Sequence, residues 1–585
     1  MSSQKKRRVD STLDPSIVEN WLNELSSCDE MSEADDESDN EEIDTTQKSD
    51  HESESEQDIS ENETNENVSD VQNNNFYLGK DKTTKWKKNK PNMQIRVRSH
   101  NIITHLPGPK QNARNAKFEI DCLKLFINEN VIRLITISTN IYIESIKANF
   151  QRESDARLTD EREINAFIGI LFLIGALRCA RKNAHQIWDN SRGSGVEACY
   201  LAMSEKRFRF LVRCIRFDDI NNRNERREID KLAPIREVFE YFIANFQNNF
   251  IASEYLTVDE QLLAFRGRCS FKQYIPSKPA KYGLKIFALV DAKTAYTFNL
   301  EAYVGTQPEG PYKCKNSGED IVLRIVQPVE GSNRNITADN WFTSFPLIKK
   351  LKHNKKLTYT GTIRKNKREL PSEFLPNKNR ELHSSIFGFQ EDYTLVSYCP
   401  KKNKAVLVVS SMHNDDTIDE ENHAKKPEMI TFYNKTKIGV DLVDQLCEKY
   451  NVARNTRRWP MVIFYDLLNI SAINAICIYK ANNLNSKISR RQFIENIAWE
   501  LLKPQIKYRS TITKLPVELR RRARALLGIE EPSISVIPEN LPNYVGRCYV
   551  CPRNKNKSTR RFCGQCRKYA CKEHMKDICV NCLNE

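Results

Sequence analysis

Three aspartates lie where a carboxylate is costly to desolvate unless a cation is nearby. Asp259 follows the apolar run YLTV and is interpreted as the end of a strand. Asp339 ends the short run NITAD just before a helix, and Asp441 lies on the helix TKIGVDLVDQL, with Asp444 one turn further on the same face. Carboxylates from two strand ends and a helix can converge above a sheet edge. Two divalent ions held there about 4 Å apart would activate a water or a 3′-hydroxyl and stabilise the leaving oxygen. Few protein ligands, all of them oxygen, suit Mg²⁺, with Mn²⁺ as the alternative.

The last 38 residues contain a second set of candidate metal ligands. Four pairs have the spacing that zinc prefers, so we predict two tetrahedral Zn²⁺ sites. We favour a cross-brace, in which the first and third pairs hold one ion and the second and fourth pairs the other; a sequential arrangement is the alternative. Cross-braces also occur in protein-reading domains, so a protein-interaction role stays open. The pairs are Cys548/Cys551, Cys563/Cys566, Cys571/His574 and Cys579/Cys582.

Basic and aromatic residues follow the first aspartate closely. Lysine and arginine neutralise phosphates, and aromatic rings stack on unpaired bases, so this segment is a candidate DNA contact. The alternative is an ordinary charged strand edge. Trp459, in NTRRWP, is either a further DNA contact or a residue of a helix-bundle core. The other candidate contacts are Arg266, Arg268, Lys278 and Lys281, with Tyr274 and Tyr282 between or beside them.

Charge is distributed unevenly along the 585 residues. The segment 29–70 has 19 acidic residues and a single basic one, Lys48, a net charge of −18. The chain as a whole carries +14, so the remainder carries +32, which indicates a polyanionic partner, most simply nucleic acid. Because residues 1–78 are rich in Asp, Glu, Ser and Asn, we predict that they are disordered. A basic stretch, Lys80 to Arg98, continues the N-terminal region as a linker or a DNA-contacting arm.

The elements that must position these residues change in type near residue 250. From about 115 to 250 the apolar spacing is helical; three strand-like runs follow, then helix, strand, helix and strand. This order is that of an RNase H-like α/β nuclease. DYTLVSYC and AVLVVSSMH predict a β-hairpin before the helix that contains Asp441. An apolar-periodic segment after it and a basic helix with LRRRARALL, ending near residue 528, complete the folded body.

Targeting signals and membrane segments are also constrained by the sequence. The longest apolar run, residues 166–177, is too short to span a bilayer and predicts a buried helix, so no membrane partner is expected. The N-terminus has no apolar core, and the ten cysteines outside the tail are scattered singly, which indicates a reducing compartment. KKRR, at residues 5–8, is a candidate for import into the nucleus.

Three segments together resemble the piggyBac transposases. The first is TVDEQLLAFRGRCSFKQYIPSKPAKYGLKIFALVD, the second ITADNWFTSFPL, and the third YNKTKIGVDLVDQLCEKYNVARNTRRWP. The resemblance extends from about residue 110 to 585. It implies that Asp259, Asp339 and Asp441 are the catalytic triad and that Asp444 is a fourth acidic residue of the site. It further implies cut-and-paste transposition through a hairpin intermediate at TTAA sites, a homodimer acting on double-stranded DNA, and a zinc tail that binds the transposon's terminal repeats.

Two other functions remain open from the sequence. The first is a domesticated descendant that binds DNA or chromatin without transposing, and the second is a zinc-tail reader of proteins. The predicted fold is α/β, with an RNase H-like catalytic domain, a β-rich insertion, a mostly helical dimerisation and DNA-binding domain in two segments, and a zinc cross-brace. The predicted boundaries are 1–107 (disordered), 108–254 (helical, first part), 255–365 (catalytic, first part), 366–427 (insertion), 428–450 (catalytic, second part), 451–529 (helical, second part), 530–545 (linker) and 546–585 (zinc domain).

Overall fold

The computed structural model describes residues 45–48, 75–91, 103, 105–191, 193, 195–420, 423–529, 545–563 and 566–575. The chain forms two compact units, residues 1–519 and 520–585. The first contains the helical segments and a large mixed sheet. The second contains the cysteine-rich tail.

The helical part of the first unit is built from two segments of the chain. Polar residues cap several of its helices: the Asn128, Asp160 and Ser204 side chains accept hydrogen bonds from backbone N–H groups of the first turns. The helices before the sheet are α1 (Glu119–Lys124), α2 (Glu129–Ile146), α3 (Glu161–Ala176), α4 (Ala184–Trp188), α5 (Glu197–Ala202), α6 (Glu205–Cys214), α7 (Arg223–Arg227) and α8 (Arg236–Asn249). Those after it are α13 (Trp459–Asn482) and α14 (Arg490–Thr511); α15 (Val517–Leu526) begins in the first unit and ends in the second.

The two helical segments pack directly on each other. Helix α14 contacts α3 and α1, and α13 contacts α1 and α8. Gly169 of α3 lies so close to α14 that a Cβ atom there would be 2.9 Å from Leu501 Cβ. This close approach explains why the apolar run at 166–177 contains a glycine. The helical region is therefore one body interrupted in sequence by the sheet.

The centre of the sheet has the predicted order of elements. Strands β6 (Tyr255–Ala264), β8 (Tyr282–Asp291) and β9 (Thr297–Ala302) are followed by α9 (Gly318–Ile325), β10 (Asn335–Ala338), α10 (Phe345–Asn354) and β11 (Thr358–Thr362). In space the strands run β9-β8-β6-β10-β11. β6, β10 and β11 are mutually parallel, whereas β8 is antiparallel to β6 and to β9. This is an RNase H-like core.

The predicted β-rich insertion continues the same sheet. Its strands are β12 (Ser385–Phe389), β13 (Thr394–Tyr398) and β14 (Val406–Ser410), and β13 and β14 form the predicted hairpin. β14 also pairs with β11, in antiparallel register with Thr360 opposite Ser410. The insertion is thus joined to the core by backbone hydrogen bonds. Helices α11 (Glu428–Thr436) and α12 (Gly439–Lys449) follow it.

The prediction that residues 1–107 are disordered is wrong for two short segments. Strands β2 (Phe76–Leu78) and β3 (Lys85–Lys87) form a hairpin that pairs with β12 at the far edge of the sheet. The cause is a tertiary contact: Trp86 is fully buried, and its Nε1 donates a hydrogen bond to the Glu369 carbonyl at 2.9 Å. Within the acidic segment, β1 (Thr46–Lys48) pairs in parallel with β7 (Lys272–Tyr274). The remaining residues up to 74 lie outside the described part of the chain.

The remaining strands are β4 (Gly108–Pro109), β5 (Phe250–Ile251), β15 (Gly546–Arg547) and β16 (Ser558–Thr559). Within the described residues, α13 is long and apolar enough in composition to cross a membrane, with a mean hydropathy of 1.8. The sequence prediction took residues 166–177 as the longest apolar segment, whereas α13, with 24 residues, is longer. Its most apolar window is 94% buried in protein, as in a core helix.

Candidate active site and cysteine cluster

The register between β6 and β10 places two aspartates side by side. The last paired residues of the two parallel strands are Val258 and Ala338, and Asp259 and Asp339 follow them directly. β10 stops at Ala338, whereas β6 continues to Ala264. The prediction that Asp259 ends a strand is therefore wrong: it lies in the middle of β6, which β8 pairs throughout. Because β10 stops there, this edge of β6 is open from Asp259 onward, and the edge forms the site.

Hydroxyl groups fix the junction of α11 and α12 against the same two strands, through Thr436 at the end of α11. Thr257 Oγ1 donates to the Thr436 carbonyl at 2.5 Å, and Thr337 Oγ1 donates to Thr436 Oγ1 at 2.8 Å. A Cβ atom on Gly439 would lie 2.5 Å from Thr257 Oγ1, so only glycine allows this approach. Asp441 is in the first turn of the helix that begins there. The helix is thus positioned by packing against the strands of the other two aspartates.

Asp444 is tied to β6 by a hydrogen bond. Gln261 lies two residues beyond Asp259 and therefore on the same face of the strand. Its Nε2 donates to Asp444 Oδ1 at 2.5 Å. Asp441 is exposed, whereas Asp259, Asp339 and Asp444 are half-buried. All four predicted carboxylates are therefore carried by β6, the end of β10 and α12, elements that contact one another.

The electrostatics of the site indicate a surplus of negative charge. Burial raises the pKa of Asp259 well above its ordinary value, and the charges of Glu260 and Asp339 raise it further, while Lys278 opposes them. Burial raises the pKa of Asp444 to about 7, against the opposing effects of Gln261 and Lys278. Clustered carboxylates with raised pKa values are stabilised by a cation. Hard oxygen donors of this kind fit Mg²⁺ or Mn²⁺.

The cysteine-rich tail brings the first and third ligand pairs together. The ligand atoms of Cys548, Cys551, Cys571 and His574 all lie within 4.8 Å of one another. Cys551 Sγ and Cys571 Sγ are 3.7 Å apart, and His574 Nδ1 is 3.4 Å and 3.3 Å from them. Tetrahedral zinc with Zn–S bonds of about 2.3 Å would separate two sulfurs by about 3.8 Å. The donor set and its spacing therefore fit one zinc ion.

This pairing is the one that a cross-brace requires, and it is incompatible with a sequential arrangement. Of the second pair, Cys563 is buried and its Sγ accepts a hydrogen bond from Cys566 N at 3.4 Å. Cys579 and Cys582 lie outside the described residues. The second predicted zinc site therefore stays a prediction.

Comparisons with known proteins show the family of the chain. The family model described as Transposase IS4 matches residues 119–476, more than half of the chain. The cryo-EM structure of a piggyBac transposase synaptic complex with hairpin DNA is similar with a TM-score of 0.70 and 36% sequence identity, over 82% of this chain and 100% of that one. The chain belongs to the piggyBac transposase family.

Human relatives in the piggyBac family are more distant. PiggyBac transposable element-derived protein 3 is 23% identical over 368 residues, which is 60% of this chain and 59% of the relative. PiggyBac transposable element-derived protein 2 is 23% identical over 62% of each chain. PiggyBac transposable element-derived protein 5 is 20% identical over 68% of this chain and 77% of the relative. The chain thus spans about three fifths of the first two human relatives.

The structure of this piggyBac-family chain separates the predicted DNA contacts into three groups. Arg266, Arg268 and Lys281 are exposed. Lys278 instead turns toward the carboxylates: its Nζ donates to the Glu260 carbonyl at 3.1 Å. Although burial favours the neutral amine, the carboxylates hold the pKa of Lys278 above its ordinary value. It is thus a partner of the acidic site and not a surface contact.

Trp459 takes the position of its core alternative. It is 1% exposed, and its ring meets that of Phe271 edge-on with the centroids 5.0 Å apart. A base cannot stack on a ring that is covered in this way. The prediction that Trp459 contacts DNA is therefore wrong for this structure, and the alternative, a residue of the helical core, is the correct one.

Sequence reasoning missed two buried charged residues beside the aspartates. Glu260 is 2% exposed and Lys285 is 4% exposed. Lys285 Nζ lies 5.0 Å from the Trp341 ring centroid and 4.9 Å from that of Phe287. Burial lowers the pKa of Lys285, while the charges of Glu260, Asp339 and Asp259 oppose that effect. The signal was present in the sequence, since a lysine inside the apolar strand YGLKIFALVD requires a buried partner.

Proposed function

We propose that this chain is an active cut-and-paste DNA transposase that excises an element and integrates it at TTAA sites. The observation that carries the proposal is the adjacency of Asp259 and Asp339, with α12 fixed against the same strands. A family member that retained only the fold would have no need for two half-buried carboxylates side by side, which costs folding free energy, with Asp441 on the adjoining helix. TTAA specificity and a hairpin intermediate follow from the family resemblance. The similar piggyBac transposase was itself solved with hairpin DNA.

The site residues divide the chemical work between them. Asp259, Asp339 and Asp441, with Asp444 beside them, would hold Mg²⁺ or Mn²⁺, which supplies an activated attacking oxygen and stabilises the leaving oxygen. Gln261 orients Asp444 through its hydrogen bond, and Lys278 limits the negative charge of the cluster. Arg266, Arg268 and Lys281, exposed beyond β6 and before β8, would contact DNA phosphates. Nicking, hairpin formation and strand transfer all replace one phosphodiester oxygen by another, so one site serves every step.

Further parts of the proposal concern the rest of the chain. Cys548, Cys551, Cys571 and His574 would bind one zinc, and Cys563, Cys566, Cys579 and Cys582 a second. The tail would bind the terminal repeats, the active form would be a homodimer, and the KKRR motif would direct import into the nucleus. A second candidate is a domesticated DNA-binding protein, which the human relatives favour because they are named as transposable element-derived proteins.

A cleavage assay tests the proposed function. The protein is incubated with Mg²⁺ and a labelled duplex that contains the end of its own element and a flanking TTAA. We expect a nick at the element end and then a hairpin on the transposon fragment, resolved on a denaturing gel. A protein that shifts the band of this duplex without cutting it, in Mg²⁺ and in Mn²⁺, would instead be a domesticated DNA-binding protein.

Deleting residues 1–70 is expected to leave DNA binding equal or tighter at low salt. The segment 29–70 carries −18 and competes with DNA for the basic body. The difference should vanish as salt rises, and fluorescence anisotropy across a salt series measures it. The deletion removes the three-residue strand β1, which the full-length control below keeps, and it must stop before residue 75, since one that extends to residue 78 would also remove β2. A full-length control with the acidic residues of 50–70 changed to amides should behave like the deletion. Weaker binding by both proteins would contradict the prediction.

A further inference from the structure

The hairpin of β2 and β3, residues 75–91, is anchored to the sheet through its inner side chains. The Trp86 ring packs against Phe345 and Tyr393, with centroids 5.6 Å apart in each case. The backbone is also held, because Asp81 N donates to the Arg368 carbonyl at 2.9 Å. The hairpin is therefore a fixed part of the fold, and its outer face has a defined position.

That outer face is basic. Successive side chains of a strand point to opposite faces, so burying Trp86 turns Lys85 and Lys87 outward, and both are exposed. Two more lysines lie beside this face. Lys82, in the turn before β3, is exposed, and so is Lys88, directly after β3, whose Nζ lies 5.0 Å from the Tyr77 ring centroid at the edge of the hairpin. These four lysines form no ion pair with a carboxylate in the part of the chain that the structure describes. We call them the hairpin lysines.

Apolar side chains lie between these charges. Phe76 and Leu78 of β2 are opposite Lys87 and Lys85 and are 38% and 45% exposed. The lysines are spread along a rigid hairpin. They therefore suit a ligand whose negative charges are spread along its length, a polyanion, better than a compact acidic ligand. The regular phosphate array of a duplex is such a polyanion.

The hairpin also lies on a continuous path to the aspartates. Between its turn and the loop after β11 is a cleft of about 520 Å³, lined by Asp81, Arg364, Asn366, Lys367, Arg368 and Glu369. In that loop, Arg364 Nε donates to Asn340 Oδ1 at 3.3 Å, and Asn340 is the residue after Asp339. Across the sheet, β10 and β3 are five strand spacings apart, roughly 24 Å. That distance is about seven base pairs of duplex.

We propose that the hairpin lysines, Lys82, Lys85, Lys87 and Lys88, bind the phosphate backbone of duplex DNA that extends beyond the catalytic aspartates. The inference rests on the proposed function for its partner, and it adds a DNA contact from an N-terminal segment outside the catalytic core. The contact is independent of base sequence, because lysine ammonium groups recognise phosphate charge. The chain's own acidic segment, which ends at Asp70, is the competing occupant.

The test is a salt titration of DNA binding. A variant with all four hairpin lysines changed to Gln keeps the side-chain stems but removes the charges. Its affinity for a long random-sequence duplex is measured by anisotropy in a buffer without Mg²⁺, Mn²⁺ or chelator, so that the zinc tail keeps its metal. Each lost phosphate contact reduces the magnitude of the slope of log K against log salt by about 0.9, so we expect a reduction of about 3 to 4. Replacing the same four residues by Arg should restore the wild-type slope.

A matched control removes four lysines that already pair with carboxylates. Lys147, Lys206, Lys313 and Lys350 form ion pairs with Glu153, Asp155, Glu309 and Glu319 respectively. Changing these four to Gln alters the net charge equally and should leave the slope nearly unchanged. An equal loss in both variants would show a general charge effect and overturn the proposal.

Two further outcomes decide against the proposal. A hairpin variant with the wild-type slope would show that the lysines do not bind DNA. The salt titration is repeated with the wild type and the hairpin variant both lacking residues 1–70. If their slopes are then equal, the hairpin lysines bind the acidic segment and not DNA. Because binding is measured without Mg²⁺ or Mn²⁺, no cleavage occurs. The result therefore stands even if the cleavage assay contradicts the proposed transposase activity.

Discussion

Changing Asp259, Asp339 or Asp441 to Asn is expected to reduce cleavage of an element end by roughly a thousandfold or more while leaving end binding nearly intact. Asparagine keeps the shape of the side chain but removes the charge that holds a divalent ion, whose stabilisation of the transition state amounts to several kcal/mol. None of the three carboxylates is a favourable contact for a DNA phosphate. Single-turnover cleavage in Mg²⁺, measured beside band-shift affinity, checks both parts of the prediction.

The control for this prediction is Asp121→Asn, at an exposed position on α1. It should cleave like the wild type. If all three site variants cut at nearly wild-type rates, the triad is wrong. If they lose binding and cleavage together, the aspartates are structural and the loss of rate says nothing about metal.

Thermal unfolding provides a readout that does not depend on activity. The pKa of Asp259 is raised in the folded state, so its ionisation opposes folding, and this destabilisation grows as pH rises from the ordinary carboxyl range. Without metal, Asp259→Asn should therefore melt above the wild type at pH 8, and the difference should shrink toward pH 4. Mg²⁺ should stabilise the wild type more than the variant. The reverse order of melting temperatures at pH 8 would contradict a crowded carboxylate cluster.

The sequence predicted the core of the fold because its signals are local there. The alternation of strand-like and helical runs from Tyr255 to Thr362 was enough to order the elements. The extent of individual strands was less predictable: β6 continues through Asp259 to Ala264 because β8 pairs with it throughout, and that pairing is tertiary. For the same reason, nothing local showed that β14 pairs with β11 and joins the insertion to the core.

The N-terminal hairpin shows how composition can mislead. Residues 75–91 have the lysine-rich composition of an unfolded linker, and their large apolar residues are few: Phe76, Tyr77, Leu78 and Trp86. Trp86 folds the segment because a pocket formed by Phe345, Tyr393 and Glu369, about 260 to 310 residues later, accepts its ring and its N–H group. Distant partners of this kind cannot be read from a window of sequence.

At the site, the correctly predicted residues have local sequence signals, whereas the residues that were missed or misplaced depend on tertiary contacts. The aspartates were found through motif spacing and family resemblance, whereas the inward orientation of Lys278 depends on how the segment after β7 folds back on Glu260. The cysteine pairs were found because the knuckle spacing is itself local. Which pairs share an ion is a tertiary property, and the structure answers it only for the first and third pairs.

Changing Cys551 and Cys571 together to Ser is expected to reduce the zinc content from two ions per chain to one and to abolish preference for the element's own ends. The two sulfurs belong to the four-ligand cluster, and a small domain of this kind depends on its metal for folding. The first unit does not include the tail, so cleavage of a preformed hairpin should be retained. Elemental analysis measures the zinc content. Competition between end-containing and scrambled duplexes at fixed salt measures the preference.

The matched control is Cys314→Ser, an exposed cysteine outside the tail, which should change neither zinc content nor preference. Changing Cys563 and Cys566 to Ser should also remove zinc, since the cross-brace assigns them to the second ion. Zinc loss with full retention of end preference would make the tail a protein-interaction module. Loss of hairpin cleavage together with zinc would show that the tail supports the catalytic unit. Only loss of end preference with cleavage retained assigns recognition of the terminal repeats to the zinc tail and phosphodiester chemistry to the aspartates.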